Sequence, residues 1–391
     1  MRQSIKKQIG MTLSALFLGL TSCDTWAPTR KMLLPSAISE LTSESTSFRK
    51  YRYSIHGMNP SALAAVDAFH RGLDDLVVAN PASSTIALFR NKGDGTFQFF
   101  HEWASCPGGD TLSAEDISGD GFSDILVTCG DRSVLSLFIG DGRGGFERHD
   151  IQVGANPVSA AVAPHVDQPG TPYLAVLYDS PSHLELLFRQ GPAAFTPGKT
   201  LPAIAAPTAM AADIFTLDAS IGYALISQVE SKLSVFLANG PTFVRQDYEA
   251  PEAASQLAAF DLRGQQRVDL IVSSGTRNNF RVYLNDGSGH FPKTKDYDLP
   301  ISPAGGIGSS HLRGIPQPEI YFQSSLTGEV IIFPNLGNGN LGHPEIIKAG
   351  ASLSGMTTGH FAHQADDMDM AMIDTLRGEL VVLLNENQNY Q

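Results

Sequence analysis

The segment DISGDGFSDILVTC, Asp116 to Cys129, recurs in outline along the chain, and its recurrence decides the fold. An acidic or aromatic residue opens a comparable apolar run at Asp75, Asp124, Tyr173, Tyr223, Asp269, Glu319 and Asp369, in steps of 46 to 50 residues. A second marker is the aromatic or Leu that follows each Gly/Asn-rich turn. It falls at Phe48, Phe97, Phe146, Phe195, Phe243, Phe291 and Leu341, in steps of 48 to 50. Two independent markers keep one phase, so the chain is built from a repeat of about 49 residues.

The second unit shows what one repeat contains. LSAED precedes the Asp loop, DILVTC follows it, then come VLSLFIG, the turn GDGRGG and FERHDIQV. Short runs rich in Val, Ile, Leu and Phe, parted by Gly, Asp and Asn turns, read as four β-strands. A four-stranded sheet repeated radially is a propeller blade. The sequence therefore predicts an all-β, seven-bladed propeller of four-stranded blades. The last unit stops at Leu383-Leu384-Asn385 without a fourth strand, while FRKYRYSI, starting at Phe48, stands at fourth-strand phase. Residues 48–55 are expected to close the ring as the outer strand of blade seven, which would cover an edge otherwise open to aggregation.

Composition agrees with a turn-rich β chain: 391 residues with 37 Gly, 23 Pro and 42% hydrophobic residues. Ahead of the repeats, Arg2, Lys6 and Lys7 precede the apolar run IGMTLSALFLGL, Ile9 to Leu20. That run is too short for a bilayer span of ~20 residues and reads as a cleaved signal. Its end, Leu20-Thr21-Ser22-Cys23, resembles a bacterial lipobox, which makes Cys23 the expected lipidation site and new N-terminus. The expected organisation is a lipoprotein signal peptide (1–23), a tether (24–46) and the propeller (47–391). Asp24 resembles the inner-membrane retention signal of enteric bacteria, which leaves the inner and outer membranes both open. The localisation implied is the bacterial cell envelope, on the extracytoplasmic side. Losing residues 1–23 removes three of the 27 basic residues and none of the 40 acidic ones, leaving a net −16. So acidic a body is a poor nucleic-acid ligand. Only Cys106 and Cys129 then remain, and in an oxidising compartment the two can pair. They flank antiparallel strands that leave the same Asp loop; two separate buried thiols is the rival reading.

The pieces DISGDGFSDILV, NKGDGTF, IGDGRGGF and NDGSGHF resemble the FG-GAP and VCBS repeat family, the propellers of integrin α-subunits and many bacterial surface proteins. The likeness runs over roughly residues 47–391, clear in units one, two and five and faint in three, four and six. It implies a propeller and a metal loop, and no particular partner. In DISGDGFSD, the side chains of Asp116, Ser118, Asp120 and Asp124, with the Phe122 carbonyl and water, could converge on one Ca²⁺. The other reading is a turn held by Asp side chains bonded to backbone amides. Unit one keeps Asp67 and Asp75 but carries Phe69 and Arg71 between them. Unit five keeps Asp261 and Asp269 around Arg263 and Gln265, and unit six has Arg313. Those loops are expected to be salt-bridged and free of calcium.

Two literal G-x-G-x-x-G strings, at Gly140–Gly145 and Gly337–Gly342, fall at one repeat phase and lead into strands, so they read as hairpin turns. No H-E-x-x-H or G-x-S-x-G occurs, and no enzymatic activity is expected. His360 and His363 beside Asp366, Asp367 and Asp369 are read as a solvated acidic loop. Five residues beyond each strand marker come Asn80, Cys129, Tyr178, Gln228, Ser274, Ser324 and Asp374. By symmetry these should ring the channel mouth, with Arg132, His183, Arg277 and Arg377 nearby, as a candidate binding face or as ordinary wet loop ends. The function expected is a membrane-anchored binding or scaffold propeller for protein partners. The alternative is a glycan-binding or enzyme-accessory propeller, which clustered exposed aromatics or a carboxylate pair at a pocket would favour.

Overall fold

The computed structural model describes residues 48–130, 132–163, 173–300, 304–312, 317–362 and 368–386. Cys23, the signal and tether segments, Arg313, His363, Asp366 and Asp367 lie outside the described residues. The described chain forms seven four-stranded antiparallel sheets arranged in a ring, with no helix. Blade one is Ala62–Val66, Asp75–Asn80, Thr85–Asn91 and Phe97–Ala104 from the axis outward. Blades two to six follow the same order. Blade seven takes its inner three strands from Leu353–Gly359, Asp369–Asp374 and Glu379–Asn385, and Phe48–Ser54 pairs antiparallel along the last of these, Tyr51 opposite Val382. A small extra hairpin, Asn335–Gly337 with Asn340–Leu341, stands out of blade six at the second G-x-G-x-x-G string. At the first string, Gly142 and Gly144 have φ of 65° and 86°, which an L side chain resists, and the chain turns directly into Phe146–Gln152.

Burial explains why these residues make these strands. Second strands such as DLVVAN and DILVTC are buried along their whole length, because neighbouring blades cover both faces. Outer strands such as FERHDIQ are mostly exposed and correspondingly polar. The apolar side chains collect into seven clusters, each shared by two successive blades. One joins the ends of the ring: Leu76, Val78 and Phe89 of blade one pack on Ile373, Leu380 and Val382 of blade seven. Asparagines at the ends of third strands add a polar stitch between blades. Asn91 Nδ2 donates to Phe361 O of blade seven at 2.8 Å, Asn285 to Phe215 O at 2.7 Å and Asn335 to Leu262 O at 2.8 Å.

Candidate functional site

A propeller has two faces, and the repeat puts different chemistry on each. The loops between first and second strands share a face with the Gly-rich turns. There the Asp116 carboxylate accepts from the amides of Gly119, Asp120 and Gly121 at 2.7–3.1 Å. Asp124, buried, accepts from the amides of Ile117 and Ser118 at 2.9 and 2.6 Å and from Gly140 at 2.9 Å. Asp120 accepts from the Phe122 amide, and the Phe122 ring meets His70 edge-on. Burial raises the Asp124 carboxyl above the usual carboxylate range.

This geometry repeats where no calcium was expected. Asp67 accepts from the amides of Arg71 and Gly72, and Asp261 from those of Gln265 and Gln266. Asp75 and Asp269 accept from Asn91 and Asn285 just as Asp124 accepts from Gly140. The expected ion pairs are present, Arg71 to Asp75 at 2.9 Å and Arg263 to Asp269 at 2.7 Å. Even so, burial pushes the Asp269 carboxyl up to about 6. The Asp116–Asp124 loop has no arginine of its own. Arg189 of blade three fills that role, donating to Ile117 O at 3.1 Å and lying over the Tyr173 ring. A Cβ on Gly119 would collide with its guanidinium. Among the described residues no group of three or more His, Cys, Asp or Glu side chains could hold a metal ion as placed.

The other face carries the turns between second and third strands and the loops that enter each blade. The expected ring is there, but it is not an open binding ring. Asn80, Cys129, Tyr178, Ser274, Ser324 and Asp374 are all buried, 1% exposed or less. In blade four the equivalent residue is Ser227, and Gln228 lies one place beyond, exposed. Most of these side chains tie the entering loop to the end of the second strand. Asn80 Nδ2 donates to His56 O at 2.9 Å, Ser227 Oγ to Ala205 O at 2.6 Å and Ser274 Oγ to Glu252 O at 2.6 Å. Tyr178 accepts from the Gly154 amide, and Asp374 from those of Ala351 and Ser352. Ser324 caps its own turn through Thr327. In blade two the same tie is covalent: Cys129 is joined to Cys106 of the entering loop, with Cα atoms 6.0 Å apart. The collar is therefore structural. A buried donor or acceptor must find a partner, and the loop backbone supplies one.

Of the flanking residues, Arg277 pairs with Glu252, Arg377 with Asp374, and His183 stacks on Tyr178, while Arg132 is exposed. Large apolar side chains also face solvent above the collar. Met58, Val229, Leu326 and Leu376, at the tips of entering loops and turns, are 68%, 76%, 71% and 77% exposed. The turns bearing Leu326 and Leu376 are neighbours, bridged by Ser352, whose Oγ donates to Ser325 O and accepts from Thr375. Val229, Leu326 and Leu376 each lie two places beyond the collar residue of their blade, so these three tips stand at one repeat phase and Met58 alone falls outside it. Two further groupings also appear only in three dimensions. Phe99 and Phe100 on the outer strand of blade one are 38% and 40% exposed, beside the His101–Trp103 ring pair. Glu115 and Asp213, on innermost strands, are near enough for the Asp213 charge to raise the Glu115 carboxyl further after burial has raised it.

Residues 70–127 match the family model described as FG-GAP-like repeat. No curated protein matches the chain. Among solved structures, BBS1N in complex with ARL6DN, seen in crystals soaked with lead, is similar at 14% identity and a TM-score of 0.64, covering 88% of this chain and 99% of that one. A functionally unknown protein from Desulfotomaculum acetoxidans DSM 771 is similar at 11% identity and a TM-score of 0.53, over 75% and 90% of the two chains. These likenesses are of fold. The class is thus a seven-bladed β-propeller carrying an FG-GAP-like repeat.

Proposed function

We propose that this chain is a protein-binding propeller, held at the extracytoplasmic surface of a bacterial membrane by lipid on Cys23, with no catalytic role. The observation that carries the reading is the set of exposed apolar tips, Met58, Val229, Leu326 and Leu376, on the face stiffened by the collar. Exposed apolar groups on a rigid frame favour association, since little ordering entropy opposes burying them. BBS1N, a fold neighbour, is in complex with ARL6DN, which supports a protein as the kind of partner. The leader motif supports the anchor. The decisive experiment compares wild type with the double variant Leu326→Asp, Leu376→Asp in a crosslinked pull-down from membranes. A specific protein that is captured by wild type and lost in the double variant is expected. Unchanged capture by that variant overturns the choice of face. Fractionation of Cys23→Ala, expected in the soluble pool, tests the anchor separately.

One grouping favours a second reading, a glycan-binding propeller: the exposed Phe100 with His101 and Trp103 could stack on sugar rings, while Phe99 is already stacked on His56. A glycan array discriminates. Specific binding lost in Phe100→Ala, with no protein co-purifying, selects this alternative.

A further inference from the structure

The upper channel holds a cavity of ≈ 400 Å³ on the face that bears the apolar tips, lined by innermost strands of blades one, two, five, six and seven. Its polar lining comes from Ser61, Thr111, Gln256 and Gln323, its apolar lining from residues such as Leu63 and Met356. Among the described residues no charged side chain and no aromatic ring lines it. Gln323 stands out. It is 1% exposed, and its side-chain oxygen has no hydrogen-bond partner. Leaving a buried amide oxygen unpaired is unfavourable, so a polar group in that state calls for a reason.

The neighbouring blades sharpen the point. Gln323 lies opposite Gly306 on the innermost strand, and its counterparts in blades three, four and seven are Leu177, Ile226 and Ile373, all buried. Blades two and five carry the smaller polar residues Thr128 and Ser273 at this register, and among the described residues blade six alone places an amide there. The innermost strand opposite is stripped to Gly305-Gly306, and a Cβ at Gly306 would stand 3.2 Å from Gln323 Nε2. The missing side chains leave the carboxamide at the cavity wall, with only the two glycines packed against it from that strand.

We propose that this cavity binds a neutral peptide group, the backbone amide of a partner segment entering the channel mouth, with Gln323 pairing to it. This rests on reading the tip-bearing face as a protein-docking surface and adds the class of ligand seated at its centre. A carboxamide offers an acceptor and a donor side by side, matching the N–H and C=O of a peptide unit. The uncharged lining gives an ion no counter-charge to offset its desolvation. The absence of a lining aromatic removes the usual stacking platform for a sugar.

The probe is N-acetyl-leucine N-methylamide, titrated into the full chain and followed by NMR, with glucose titrated in parallel. Saturable binding of the capped amino acid is expected, with none of glucose. Gln323→Leu, which places the residue of blade three at this register, should fold with an unchanged or higher melting temperature and bind the probe at least tenfold more weakly. Gly306→Val should also weaken binding by filling the space. Probe affinity indifferent to Gln323→Leu, absence of saturation in the wild type, or saturable glucose binding each overturns the proposal. The docking reading is judged apart from this: capture that is lost in the Leu326/Leu376 variant yet unaffected by Gln323→Leu keeps the face and rejects the cavity.

Discussion

The Tyr53 hydroxyl accepts a hydrogen bond from the Phe97 backbone amide at 3.1 Å, and the two rings meet edge-on with centroids 6.1 Å apart. Tyr53 belongs to the strand that completes blade seven, and Phe97 opens the outer strand of blade one. The same tie recurs between consecutive blades elsewhere, from Tyr248 to Phe291 and from Tyr297 to Leu341. The first described strand thus touches both neighbours at the point where the ring's two ends meet. Tyr53→Phe is expected to cost about 1 kcal/mol, the worth of one hydrogen bond, and Tyr53→Ala about 3 kcal/mol with the packing lost as well. Deleting residues 1–55 should lower the urea midpoint further and promote aggregation through the bared edge of Glu379–Asn385. A deletion as stable and monomeric as wild type would show that the ring holds without this strand.

Cys106 and Cys129 make the collar tie that other blades make by hydrogen bonds. Closing a loop between residues 23 apart constrains the unfolded chain by roughly 3 kcal/mol in the chain-entropy view. Reduction should lower the melting temperature by several degrees, and Cys106→Ala/Cys129→Ser should do the same without reductant. The mass of unreduced protein checks the bond itself: alkylation at both cysteines under native oxidising conditions would reject it.

How far the sequence carries depends on range. The blades were legible because Asp124 and Phe146, and their equivalents, recur at fixed phase, and Asp124 is held by contacts within its own repeat. Arg189 was not legible as a partner of the Asp116 loop, since it reaches that loop from the next blade. Nor was the burial of the collar. Polar residues at strand ends usually face water, and only the entering loop, folded over them, turns Asn80 or Ser274 inward. The displacement from Gln228 to Ser227 has a simpler origin. Tyr223 was taken as the strand marker, whereas the strand runs Ile221–Ser227 and begins earlier. Gln323 is the one amide in a column that also holds Thr128 and Ser273 among aliphatic residues, and the column itself needs the register to be seen.

The Asp116–Asp124 loop spends its carboxylates on its own amides and on that of Gly140, in the manner of the arginine-bearing loops. The melting temperature is therefore expected to be equal in calcium and in chelator. Asp116→Ala should lower it in both by an amount typical of losing a turn-capping side chain, about 1 kcal/mol. Arg189→Ala is expected to destabilise the same loop, read as faster amide exchange at Gly119 to Gly121. A calcium-dependent rise that disappears in Asp120→Ala would restore the metal site.

Glu115 and Asp213 add to a pH dependence shared with Asp75 and Asp269, whose carboxyls burial pushes up to about 6. Neither Glu115 nor Asp213 is paired with a cation among the described residues, and the share of Glu115, which is exposed, is the smaller. Burial raises both carboxyls, and the charge of Asp213 raises Glu115 further. In the unfolded chain they ionise near the ordinary values of ~4. Between those values and the raised folded ones, the folded protein holds more protons than the unfolded chain. Stability from this source is thus fully present below about pH 4 and is lost as pH rises through the folded pKa values. Urea midpoints of wild type should fall from about pH 4.5 toward neutrality. Glu115→Gln and Asp213→Asn remove the ionisation and leave the shapes, so both should be more stable than wild type at neutral pH and equal to it near pH 4. Carboxyls whose folded values are depressed, such as Asp150 beside Arg148 and Asp247 beside Arg245, change stability only below about pH 4, outside this window. Parallel pH profiles for wild type and both variants would mean that the channel carboxylates are solvated and carry no strain of charge.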